Sequence, residues 1–171
     1  MKRTLRFSYE FERLVWHSVA VSDIRRSGPW SIEEVHAFLD EAVIPMRLAA
    51  NTSSGFPVVL SLWFVREGDD LLGAVHRDAK IAKRLQADER CAFEIATNDP
   101  PYRGVRGQAR AALSSDGAPE LLERLLLRYL GTTDSKLGRF LMSRAPDERV
   151  IRVSPRSVAS WDYPARMNEP T

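Results

Sequence analysis

Between residues 45 and 109 the chain runs short apolar segments into turn signals at intervals too close for intervening helices, which restricts it to consecutive antiparallel strands. The first run, residues 46–50, ends at Thr52-Ser53-Ser54-Gly55, and the second, residues 57–65, ends at Glu67-Gly68-Asp69-Asp70. A third run covers residues 71–76. With the turns centred near residues 54–55 and 68, antiparallel pairing predicts Arg47 near Leu62, Leu62 near Val75 and Ser61 near His76. Three strands then feed one lateral row. A short helix follows, with Asp78 predicted as its N-cap, Ile81, Ala82 and Leu85 on one face, and Lys80 in the first turn beside Arg77. That end suits an anionic group.

The rest of the chain continues the pattern. Residues 90–97 read as a strand, Asn98-Asp99-Pro100-Pro101 as a loop, and residues 102–113 as a long strand whose glycines predict a bulge or a close backbone approach. Residues 119–130 form a leucine-rich helix closed by Gly131, residues 135–144 a second helical segment, and residues 149–153 a final strand that resumes over 157–161. Upstream, Ser31-Ile32-Glu33-Glu34 is a capping box, and Trp30 and Val35 have the spacing of a hydrophobic staple. A helix over residues 32–42 is predicted, with Val35, Phe38, Leu39 and Ala42 buried. Residues 1–30 are an N-terminal arm that forms an extra strand or lies against a partner, and residues 31–171 form one domain. The class is mostly β (α+β), a small antiparallel barrel with flanking helices. Because residues 57–65 are apolar on both faces, a helix is expected to cover one face and a second subunit the other.

Composition narrows the function. At 171 residues, 44% hydrophobic and 28% charged, the chain is an ordinary globular domain. Its formal charge of +2 resides in the first 30 residues, which hold six Lys/Arg against three Asp/Glu, so no nucleic-acid-binding face is expected. The single cysteine, Cys91, excludes an internal disulfide and a cysteine-based zinc site and fits a reducing cytoplasm. No apolar run has the length of a membrane span, and charged residues from Glu10 to His17 interrupt any signal-peptide core. A cytoplasmic protein without membrane contact is expected. His36 and Asp40 read as a solvated ion pair rather than metal ligands, and Asp69 and Asp70 as turn residues. Walker, dinucleotide-glycine, nucleophile-elbow and His-Glu-x-x-His signatures are absent, and no residue is identified as a catalytic acid or base.

What remains is a set suited to a flavin mononucleotide, which needs cations for its phosphate, polar partners for its ring edge and apolar walls. Arg47, Arg77 and Lys80 supply cations, Ser61 a hydroxyl, and Leu62, Trp63 and Val75 walls. Each also has a plainer explanation: Arg47 as an exposed strand charge, Trp63 and Trp161 as core or interface aromatics, His76 as a satisfied strand-end histidine.

The order Arg47-Leu48-Ala49, then Gly55-x-Pro57 leading into Ser61-Leu62-Trp63-Phe64, then Leu72-Gly73-Ala74-Val75-His76 with Lys80 and Leu85, resembles the flavin-binding split-barrel family related to pyridoxamine 5'-phosphate oxidase. Tyr102-x-x-Val105-x-Gly107-x-Ala109 and Val153-x-Pro155-x-x-Val158-x-x-Trp161 are similar to its later strands, so the resemblance spans residues 31–161. It implies a six-stranded split barrel, homodimeric, with FMN or the deazaflavin F420 in the clefts between subunits and a small-molecule substrate. It implies further that Arg47 and Lys80 hold the phosphate with Arg77 assisting, and that Leu48, Ala49, Ser61, Leu62, Trp63, Val75 and His76 line the flavin. Arg103 and Gly104 would approach from the next strand, and Trp161 would reach the partner's site. The oxidase's C-terminal Arg-x-His has no counterpart in Trp161-Asp162-Tyr163-Pro164-Ala165-Arg166, so the implied reaction is a flavin-dependent oxidation or reduction of another substrate. A non-catalytic flavin or haem carrier or sensor, with His76 as the haem ligand, is the alternative from a different class.

Overall fold

In the computed structural model, which describes residues 24–163, all of the predicted strands join one sheet. The order of elements is β1 (Arg25–Ser27), α1 (Ile32–Glu41), β2 (Met46–Asn51), β3 (Pro57–Leu62), β4 (Val65–Glu67), β5 (Asp70–His76), α2 (Lys80–Ala87), β6 (Arg90–Ala96), β7 (Arg103–Ser114), α3 (Ala118–Leu130), α4 (Lys136–Ser143), a 3-10 turn (Ala145–Asp147), β8 (Glu148–Pro155) and β9 (Ser157–Asp162). The main path runs β3-β2-β6-β7-β8-β5-β4, while β9 pairs with the first part of β7 and carries β1 on its other edge. Every pairing is antiparallel except that of β1 with β9. The described part of the arm thus supplies a strand, and its residues 1–23 lie outside the described region.

Six expected strands become nine because two runs are broken and the arm adds one. The break that matters falls at Trp63 and Phe64. The hairpin around Gly68 has the expected register, with Val65 opposite Leu72, but its ladder stops there, so Leu62 does not pair with Val75 nor Ser61 with His76. Alternation continues through the break, with Leu62 and Phe64 in the main core and Trp63 and Val65 beneath α3. The backbone N–H of Phe64, released from the ladder, donates to the Tyr129 hydroxyl at 3.3 Å.

The first hairpin differs by one residue: Arg47 faces Ser61, and Met46 faces Leu62. Its turn closes through Thr52 N–H to Phe56 O, which centres it on residue 54. At α2 the residue in the cap position is Ala79, not Asp78; Asp78 instead donates its N–H to His76 Nδ1 at 3.2 Å. The capping box of α1 forms as predicted, and Trp30 packs against the core cluster that holds Val35 and Phe38, its ring centroid 5.0 Å from that of Phe38. His36 and Asp40 also separate. His36 Nε2 meets Asp69 Oδ1 at 3.0 Å, and Asp40 accepts from Arg66 Nε at 2.9 Å, so α1 is pinned to the turn around Gly68.

Arg128 fastens α1 to α3. No basic residue occupies the last turn of α1, whose final carbonyls would otherwise lack partners. The Arg128 guanidinium supplies both charge and donors, reaching Leu39 O, Asp40 O and Ala42 O at 2.8 Å each. Charge-assisted hydrogen bonds of this kind carry roughly 1.5–3 kcal/mol apiece before solvent competition, and they are not additive. Arg128→Met is therefore expected to lower unfolding stability by about 2–4 kcal/mol, read as a reduced urea midpoint with an unchanged slope. An unchanged midpoint would show that the clamp adds nothing.

Candidate functional site

The sheet register assembles a polar row across five strands. Ser61, Arg47, Glu94, Arg106 and Ala159 are successive cross-strand partners on β3, β2, β6, β7 and β9, and Ser27 of β1 extends the row. Val59, Ala49, Ala92 and Gln108 form the adjacent row on the same face. Their inward neighbours, including Leu48 and Phe93, are buried in the core. Strand alternation alone therefore decides which residues face out.

Over this outer face lies an open cavity of about 640 Å³, within the usual range for a cofactor-sized ligand. Ala49, Ala92, Gly107 and Ala159 make a low floor, while Arg25, Arg26, Arg47 and Arg106 stand at its border with Glu94 as the one lining carboxylate among the described residues. Four guanidinium groups against one carboxylate leave the described lining a formal charge of +3. Arg47 Nη2 donates to Asn98 Oδ1 at 2.6 Å, but the enclosed Nη1 has no partner among the described residues. A small rotation of the side chain would present that donor to an anion. Arg106 is held over the Trp161 ring at 5.5 Å, which fixes a cation beside an aromatic wall. This donor set fits a phosphate-bearing group with a flat apolar portion.

The sequence-predicted residues separate into three groups. Arg47 and Ala49 border the cavity, Ser61 is exposed opposite Arg47, and Trp161 backs Arg106. Leu48, fully buried, and Leu62 put their side chains in the core, Val75 packs against it, and Trp63 stacks on Tyr129 at 5.0 Å. His76, Arg77 and Lys80 lie elsewhere: Arg77 pairs with Asp147 at 3.0 Å, Lys80 is exposed at the start of α2, and none of the three borders the cavity. Gly104 answers the expectation of a close approach, because a Cβ there would lie 2.6 Å from Ile95 O. Arg103 rests over Phe38 at 5.9 Å.

Sequence reasoning missed Arg25, Arg26, Glu94 and Arg106. The alternation of β6 and β7 carried a signal for Glu94 and Arg106, whereas the arginines of β1 reach the cavity only through pairing with β9, more than 130 residues away. Cys91 takes no part, since burial pushes its thiol up to about 12.

Solved structures of known proteins share this architecture. A conserved hypothetical protein from Mycobacterium tuberculosis superposes with a TM-score of 0.70 at 19% identity, covering 88% of this chain and 92% of its own. An F420 reductase gives 0.60 at 21% identity over 70% and 92%. A proposed pyridoxamine 5'-phosphate oxidase from Listeria innocua gives 0.59 at 15% identity over 75% and 95%. The fold is thus the split barrel of the pyridoxamine 5'-phosphate oxidase-like proteins. No protein-family model matches the chain, and no curated protein sequence matches it. Among the described residues, no helix is long and apolar enough to cross a membrane.

Proposed function

We propose that this chain is an FMN-binding oxidoreductase, acting as a homodimer on a small molecule, with the cofactor's phosphate held by the arginines of the outer sheet face. The observation that carries this reading is the enclosed Nη1 of Arg47, without a partner among the described residues, at the border of a cavity whose described lining carries a formal charge of +3. Arg47 and Arg106 would grip the phosphate, with Arg25 and Arg26 above them. The alanine floor would accept the flat ring system, and Ser61 offers a hydroxyl at the edge. A bound flavin supplies the hydride chemistry itself. The chain's own share is to orient the ring, neutralise the phosphate and keep water from the floor.

The same surface supports dimerisation. Val59 is 67% exposed and Phe56 76%, beside an open floor of small residues, and a second copy laid over this face would cover them. The partner would also bring its own His76, Arg77 and Lys80, which do not reach the cavity of their own chain. A deazaflavin such as F420 is the second reading, supported by four cavity arginines, more than one phosphate requires, and by the likeness to an F420 reductase. Pyridoxine phosphate is not the substrate on this reading, because the Arg-x-His segment that would hold its phosphate is missing from the sequence.

Two measurements test the proposal. Arg47→Ala is expected to weaken FMN by about tenfold or more while riboflavin, which lacks the phosphate, is scarcely affected. Equal losses for both ligands would contradict the assignment of the phosphate to Arg47. Sedimentation should give a species of twice the 19.4 kDa chain; a monomer that holds one flavin tightly would contradict the dimer.

A further inference from the structure

A second cavity, of about 420 Å³, opens beside the first, between Ile44, the 97–101 loop and the ends of β7 and β9. Asn98 stands between the two, bordering this cavity while accepting from Arg47. Its distinctive feature is an ion pair that does not form. Arg103 and Asp162 are direct cross-strand partners, a placement that brings opposite charges within easy reach. No ion pair joins them among the described residues. The guanidinium is drawn over the Phe38 ring, and the carboxylate accepts from Trp30 Nε1 through Oδ2 at 3.3 Å. Trp30 and Phe38 are packed together, so one aromatic pair holds the cation and the carboxylate apart.

The outcome is an acceptor and a donor side by side with no mutual bond. Asp162 Oδ1 is enclosed and has no partner among the described residues, a costly arrangement for a carboxylate oxygen. The Arg103 guanidinium makes no hydrogen bond to a described residue. Of the other polar groups of the cavity, Thr97 Oγ1 faces Pro101 O and Arg103 O, and the Asn98 carbonyl oxygen takes the Arg47 donor, while the exposed Asp99 carboxylate stands at the rim. Pro100, Pro101 and Ile44 form flat apolar walls. Turning the Asp162 carboxylate about its last torsion, which is soft, brings Oδ1 toward the cavity.

We propose that this cavity is a substrate subsite for a flat cyclic amide or imide, whose N–H donates to Asp162 and whose neighbouring carbonyl accepts from Arg103. A neutral ligand with both groups on one edge satisfies carboxylate and guanidinium together, which neither a simple amine nor a simple anion does. The idea rests on the function proposed above only in calling the ligand a substrate. The cavity and its unmet acceptor stand without it.

The probe is uracil, compared with 1,3-dimethyluracil, which keeps the carbonyls but has no N–H. Both are titrated into the full chain and followed by backbone amide shifts, first alone and then with FMN at saturation. Uracil is expected to move the amides of Arg103 and Asp162 and to bind about tenfold or more tightly than the dimethyl analogue, with or without FMN. Asp162→Asn, of the same shape and still able to accept from Trp30, should abolish that preference. If Asp162→Asn fails to fold, Arg103→Met, a change to an exposed side chain, is expected to weaken both probes by about tenfold, because both keep the carbonyl that Arg103 holds. Equal affinities for the two probes, a preference that survives Asp162→Asn, or probe affinities unmoved by Arg103→Met would overturn the proposal. Displacement of uracil by FMN would overturn it too, assigning the edge to the cofactor. Failure of FMN to bind would strike the cofactor reading and leave the uracil result standing.

Discussion

The sheet can open into a split barrel because Gly107 has no side chain. A Cβ at that position would lie 1.9 Å from Ser157 O and 2.8 Å from Phe93 Cε1, so a substituent of any size forces strands apart. Gly107 sits where β7 changes partners: up to Arg106 it pairs with β9, and from Ala109 with β8. The backbone at the change is closed by Arg156 N–H donating to Gln108 O at 2.8 Å, and Gln108 N–H donates to Ser157 Oγ at 3.2 Å. One long strand thereby serves two short ones while β6 runs unbroken along its other edge. The outer row from Ser61 to Ala159 and the placement of Arg106 beside Trp161 both follow from that junction.

Local periodicity makes most of this fold legible in the amino-acid sequence. Alternation located the strands, the capping box placed α1, and the glycines of β7 marked close approaches that Gly104 and Gly107 both make. What stayed hidden depends on distant partners. The run over residues 57–65 breaks because Tyr129 takes the Phe64 N–H and stacks on Trp63, and nothing within the run records a tyrosine some 65 residues away. The one-residue register error in the first hairpin came from centring a turn between residues when it centres on one.

The site was legible in the same proportion. Arg47 follows from the lateral polar row and Ala49 from the family resemblance, and both border the cavity. Grouping Lys80 and Arg77 with Arg47 rests on β3 and β5 running side by side and on the family resemblance, and the break at Trp63 removes that neighbourhood within one chain. The opposite holds for Arg25 and Arg26, whose charge was visible as a basic arm but whose position depends on a parallel pairing with the last described strand. Clustered guanidinium groups with so little internal compensation are unfavourable unless an anion completes them, and the structure maintains four around one floor.

The central claim is that the floor and its arginines hold a phosphate-bearing flavin. The most direct measurement is the visible absorption spectrum of freshly purified protein, repeated after the protein is stripped of small molecules and titrated with FMN. The account predicts a bound-flavin spectrum that disappears on stripping and returns to saturation at one FMN per chain. A protein that is colourless as purified, and that takes up neither FMN nor its deazaflavin counterpart at micromolar concentration, would contradict it.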